Sequence, residues 1–199
     1  MTLVGVGLLP ELEILDSLIE FSERWQSEVG SPRLGRLVNL PHVSVYQLPV
    51  RRVEEFIEAL EQLGGLQAES TELQELVYQP VGWLFASVVR NSWMLDLQKI
   101  VVTEVDQFLD RSAMKQAHQL HGYTEDEKSS YLRHGYRYVG RPFKPHFTIG
   151  RTDLPELSLS ADCLRDYQML LHGRAVRFDR VVAYRAGHHG SLAEILAVL

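Results

Sequence analysis

Two short segments of this 199-residue sequence carry the same reactive pair. Leu40-Pro41-His42-Val43-Ser44-Val45 and Lys144-Pro145-His146-Phe147-Thr148-Ile149 each place a histidine after a proline and a hydroxyl two residues beyond it. In an extended strand, residues two apart project to the same face. Each segment is therefore predicted to offer an imidazole and a hydroxyl side by side, with Val43, Val45, Phe147 and Ile149 turned towards a core. Two imidazoles facing one another suit phosphodiester cleavage or formation. One, neutral, takes a proton from water; the other, as imidazolium, protonates the leaving oxygen. An ordinary imidazole pKa near ~6.5 lets small shifts assign both roles at neutral pH. Ser44 and Thr148 can donate to the non-bridging phosphate oxygens, where charge gathers in the transition state. This scheme needs no metal, no carboxylate–histidine ligand pattern stands in the sequence, and no cofactor is implied. The competing reading is a pair of structural histidines, and the repetition of the whole segment argues against it. His189-Gly190-Ser191 has the same spacing, but its glycine-rich flanks fit a turn.

The elements that must hold these segments follow from apolar periodicity. Strands are predicted at 3–8, 42–48, 67–79, 83–89, 146–150, 176–184 and 192–199. Helices are predicted at 12–29, 53–63 and 92–109, the last capped by Ser92, and after Ser160 as a further cap. Strand, helix, strand, helix, strand thus occurs twice. The offset from first strand to histidine strand is 39 residues in one half (3 to 42) and 63 in the other (83 to 146). The 24 extra residues fall within 111–141, an insertion rich in basic and tyrosine residues. Trp25, Trp83 and Trp93 fall in helical or strand patterns and read as core.

With these motifs the chain resembles the two-histidine (2H) phosphoesterase superfamily, in its RNA 2′,3′-cyclic phosphodiesterase or 2′-5′ RNA ligase branch. The resemblance rests on Pro41-His42-Val43-Ser44-Val45, Pro145-His146-Phe147-Thr148-Ile149 and Arg151, the opening strand, and the closing run from Phe178 to Arg185. It implies an α+β fold of two pseudo-symmetric lobes, each an antiparallel sheet with helices on its outer face, and an active site in the cleft between them. It implies one bilobal domain over 1–199 with the 111–141 insertion. His42 and His146 would be the catalytic pair, with Ser44, Thr148 and Arg151 on the substrate phosphate. The implied reaction opens a 2′,3′-cyclic phosphate to a 2′-phosphate, with 2′-5′ ligation as the reverse. Two departures bear on the substrate: Gln47 stands where a basic residue would follow the first motif, and the insertion matches no part of the family pattern.

Charge narrows the partner. Residues 29–53 hold Arg33, Arg36, Arg51 and Arg52 and no acid, and 111–151 hold eight basic residues against three acidic ones. The rest carries 8 basic and 23 acidic residues, a local balance of −15 within a chain of net charge −6. Two basic islands in an acidic body suit a local anionic ligand in a cleft better than a long nucleic-acid backbone. Tyr46, Arg133, Tyr136 and Arg137 are candidate substrate contacts, since aromatic and guanidinium planes both bind nucleobases. Tyr131 and His134 lie beside them, and His118 with His121 reads as solvated surface. The expected partner is an RNA end or a small cyclic nucleotide. A cyclic phosphate derived from ADP-ribose and an inactive nucleotide- or RNA-binding module are the alternatives. A single cysteine, no basic leader and no long apolar run lead to a cytoplasmic chain without membrane attachment, with a monomer favoured.

Overall fold

The computed structural model describes the chain except for residues 31–33, 38, 67–68, 80–81 and 152–158 and the His189 side chain. The described residues form seven strands and six α-helices. They are β1 (Thr2–Pro10), α1 (Leu12–Arg24), α2 (Gln26–Val29), β2 (Val43–Val50), α3 (Val53–Gln62), β3 (Ser70–Tyr78), β4 (Trp83–Val88), α4 (Ser92–Val105), α5 (Glu125–His134), β5 (His146–Arg151), α6 (Ala161–Leu170), β6 (Ala175–Ala186) and β7 (Leu192–Val198). Local chemistry sets most boundaries. Ser160 caps α6 by accepting from Cys163 N, whereas α4 is capped by Asn91, one residue before the expected Ser92. The helix expected over 12–29 breaks at Trp25, whose indole donates to Asp166 at 2.7 Å. The insertion holds two single-turn 3₁₀ segments, Arg111–Ala113 and Ala117–Gln119, followed by α5, with a Thr124–Glu127 capping box and Gly135 closing it at φ 70°.

The α+β class is as expected, but the repeat does not build two independent sheets. All strands join one antiparallel network in the order β1-β2-β5-β4-β3-β6-β7, with β6 also pairing β1. The first strand of each half, β1 or β4, pairs with its own histidine strand on one side. On the other side it takes the third strand of the opposite half: β1 takes β6, and β4 takes β3. The two three-strand groups then meet at Val43↔Phe147, so the histidine strands β2 and β5 are neighbours. An exchange of this kind is invisible to periodicity, which is identical whichever half supplies the partner.

Both histidine strands carry a bulge immediately after the hydroxyl residue. Gly7 faces Ser44 and Val6 faces Tyr46, leaving Val45 unopposed; Phe85 faces Thr148 and Leu84 faces Gly150, leaving Ile149 unopposed. A bulge frees a carbonyl from the ladder, and a buried carbonyl needs a donor. Each is met by a helix from the other half. Gln98 on α4 donates to Val45 O at 2.8 Å, and Ser22 on α1 donates to Ile149 O at 3.4 Å. Both helices bury an apolar face around that polar residue: Met94, Leu97 and Val101 on α4, Ile14, Leu18 and Phe21 on α1. Gly150 follows the second bulge because α2 presses on it; a Cβ there would lie 2.0 Å from Val29 O.

Candidate active site

The strand pairing brings His42, Ser44, His146 and Thr148 to the wall of one cavity of about 520 Å³. Val43, Val45, Phe147 and Ile149 are buried behind them, as the alternation predicts. Each imidazole is held in the same way. His42 Nδ1 lies 2.8 Å from Leu40 O, and His146 Nδ1 lies 2.6 Å from Lys144 O. A carbonyl only accepts, so Nδ1 carries the proton in both neutral rings, and Nε2 is the nitrogen free to take or give one. The intervening Pro41 and Pro145 hold the preceding residue extended, which sets that carbonyl two residues back in reach. His146 stacks on Phe85 (3.6 Å between centroids), and His42 meets the Tyr184 ring edge-on at 4.9 Å.

Burial lowers both histidines from the ordinary value to about 4, against the opposing backbone hydrogen bonds. For His146, the nearby charges of Arg137 and Lys144 and the presence of His42 push the same way. Both rings are thus neutral at neutral pH. An anion between them favours imidazolium and raises these values.

The bulges decide what else faces the cavity. Strict alternation would put Tyr46 beside Ser44 and turn Gln47 away. The extra residue Val45 reverses this. Tyr46 is fully buried and donates to Asp106 Oδ1 at 2.6 Å, while Gln47 lines the cavity and its Nε2 lies 3.1 Å from Ser44 Oγ. Tyr46 is therefore a core residue that anchors the insertion, where a substrate contact was expected. By the same geometry Arg151 follows Thr148, but its guanidinium lies 5.4 Å over the Trp83 ring. Trp83, expected in the core, lines the cavity, and Arg151 is outside the lining among the described residues.

The insertion contributes part of what was expected of it. Tyr136 and Arg137 line the cavity, with Tyr123, Tyr131 and Lys115. The Arg137 guanidinium sits 5.0 Å over Tyr123 and 4.4 Å over Tyr138, and it bonds the Tyr138 hydroxyl. Arg133 lies outside this lining: it is exposed on the last turn of α5, and its carbonyl accepts from Arg111 at 3.1 Å. His134 faces inward to Asp106, at 3.0 Å, and His118 and His121 are exposed. The first basic island does not gather at the cavity either. Arg36, Arg51 and Arg52 pair with Asp16, Asp110 and Glu55, and Arg33 lies outside the described residues. Among the described residues the lining holds Arg137 and Lys115 and no carboxylate, in a chain of net charge −6. That suits an anion.

Three parts of the site, two in the wall and one behind it, carried little sequence signal. Asn39 adopts a left-handed conformation (φ 56°) at the cavity edge. The turn 187–191 closes one side, with Gly190 O accepting from Gln47 at 3.1 Å. Tyr184, fully buried on β6, reaches Ser44 across β1. Only the last had a cue: Gly5 and Gly7 interrupt an apolar strand, and glycine inside a strand marks a close approach. A Cβ at Gly5 would lie 2.6 Å from the Tyr184 ring.

This fold superposes over the whole chain on solved phosphoesterase structures. A phosphoesterase crystal structure aligns with a TM-score of 0.54 at 15% identity, covering 100% of this chain and 98% of that one. E. coli LigT complexed with phosphate aligns at 0.53 and 14% identity, covering 100% of this chain and 96% of that one. The same E. coli protein with 3′-AMP aligns at 0.53 and 16% identity, with 100% and 95% covered. No family model matches the chain, and no curated protein matches it. Among the described residues no helix is long and apolar enough to cross a membrane.

Proposed function

We propose that this chain is a two-histidine phosphodiesterase that opens a 2′,3′-cyclic phosphate, on a nucleotide or RNA end, to a 2′-phosphate. On this reading residues 1–199 act as one unit with 111–141 as its insertion, and 2′-5′ ligation is the reverse reaction. The observation that carries it is the convergence of both Pro-His-x-Ser/Thr segments on one cavity, each ring tethered through Nδ1 so that Nε2 does the work. The bound phosphate anion raises one neutral histidine into its acid form. That imidazolium protonates O3′ as the P–O3′ bond breaks, and the other imidazole takes the proton of the attacking water. Ser44 and Thr148 donate to the non-bridging oxygens, and Arg137 adds fixed positive charge beside them. The carboxylate-free lining supports an anionic substrate, and the phosphate and 3′-AMP complexes of E. coli LigT support a nucleotide one.

The test is incubation with a 2′,3′-cyclic mononucleotide, an RNA oligonucleotide with a 2′,3′-cyclic end, and a cyclic phosphate of ADP-ribose, each with and without EDTA. Opening of at least one to the 2′-phosphate, unaffected by EDTA and abolished in His42→Ala and His146→Ala, is the expected outcome. No opening of any, or loss of activity with EDTA, overturns the reading.

A further inference from the structure

Behind Ser44 runs a chain of hydrogen bonds whose direction is fixed from its far end. We propose that Gln47 and Tyr184 are positioning residues that orient the Ser44 hydroxyl as a donor towards the substrate phosphate; this rests on the reading that a phosphate occupies the cavity. Gly190 O accepts from Gln47 Nε2 at 3.1 Å. Because a carbonyl only accepts, the amide nitrogen and not its oxygen must face the 187–190 turn, which fixes the orientation of the side chain. The same nitrogen lies 2.6 Å from Tyr184 Oη, so the phenol oxygen accepts there. These two acceptors take both amide protons, and the 3.1 Å approach to Ser44 Oγ is the remaining contact. The phenol's own proton is then left for Ser44 Oγ, 2.9 Å away. Ser44 accepts it and turns its proton into the cavity it lines. Tyr136, from the insertion, is a further neighbour of Ser44 on the cavity side.

The opposite direction fails on electrostatic grounds. If Ser44 donated to Tyr184, the buried phenol oxygen would accept from both Ser44 and Gln47, its own proton would lose Ser44 Oγ, its acceptor among the described contacts, and the phosphate would meet the lone pairs of Ser44. The placement of Tyr184 is built into β1. Its ring is fully buried across Gly5 and Gly7, and a Cβ at either would lie 2.6 or 3.1 Å from it. The ring also meets the His42 ring, so one side chain braces both working groups of the first segment.

A coupling experiment separates action through Ser44 from general support. Steady-state kinetics on a 2′,3′-cyclic mononucleotide compare Tyr184→Phe, Gln47→Leu and Ser44→Ala with each double variant. Tyr184→Phe and Gln47→Leu should each lower kcat/KM by about 3–10-fold, mainly in kcat, the effect of one neutral hydrogen bond. In the Ser44→Ala background either change should add less than about twofold, because the hydroxyl they orient is gone. Full multiplication of effects in the double variants, or wild-type kinetics in Tyr184→Phe, overturns the proposal. If Tyr184→Phe does not fold, the Gln47→Leu and Ser44→Ala pair decides alone. If the wild type opens no cyclic phosphate, the function reading fails separately, and the same cycle is read on the Kd of inorganic phosphate by calorimetry. Non-additivity there upholds the chain; additive effects, or no phosphate binding by the wild type, overturn it.

Discussion

Replacing Gln98 by Leu should unfasten the site without touching it. Gln98 is 2% exposed, and three of its hydrogen bonds go to backbone groups. Its Nε2 donates to Val45 O and Tyr138 O, both at 2.8 Å, and its Oε1 accepts from Gly140 N at 2.7 Å. Val45 is the bulge that turns Gln47 into the cavity, and Tyr138 and Gly140 end the segment that carries Arg137. Leucine fills the same space and leaves two buried carbonyls, of Val45 and Tyr138, without this partner, at about 1–3 kcal/mol each, while the exposed Gly140 N–H can turn to water. Allowing for partial relaxation, we expect a loss of about 2–5 kcal/mol, a large share of the roughly 5–15 kcal/mol that holds a domain together. Urea unfolding followed by tryptophan fluorescence measures it as a fall in the midpoint at constant slope. Activity, read at temperatures where the variant is still folded, should fall as well, because Gln47 and Arg137 lose their fixed placement. A loss below about 1 kcal/mol would refute the idea that the bulge and the insertion share this one fastening.

Protonation offers a second handle. Both histidines titrate near 4 in the folded chain and near 6.5 when unfolded, so between those values the unfolded state binds more protons and stability falls with falling pH. Thermal melts from pH 7.5 to 4.5 should show a smaller decline in a His42→Gln/His146→Gln variant than in the wild type. Arg137→Ala should raise KM for cyclic phosphates by about tenfold or more, in keeping with loss of a charge-assisted contact, while Arg133→Ala leaves KM unchanged. Gly150→Ala should destabilise by about 1–3 kcal/mol, because the new methyl meets the Val29 carbonyl rather than a movable side chain; calorimetric melting checks it.

The repeated Pro-His-x-Ser/Thr segments marked the candidate pair, because two residues apart on a strand share a face and the proline fixes the carbonyl that holds each ring. Apolar periodicity likewise determined the strands and most helices to within a few residues, except where Trp25 breaks the first helix and where α5, polar on most faces, was read only as part of the insertion. The insertion was legible as extra length between equivalent strands, and its basic, tyrosine-rich composition suggested the role that Tyr136 and Arg137 are placed to take. What the sequence left open was which half lends its third strand to which. Strand pairing is a long-range choice, and both choices bury the same residues. The bulges were equally hidden, since an extra residue is defined only against a partner strand. Yet they decide that Gln47 faces the cavity while Tyr46 is buried, and each needs a donor, Gln98 or Ser22, from a distant helix. Three arginines of the basic islands, Arg36, Arg51 and Arg141, pair instead with acids remote in sequence, Asp16, Asp110 and Asp126. Local pattern reports what a residue's own strand or helix can do; the ladder register and the pairing of charges depend on groups brought together only when the whole chain packs.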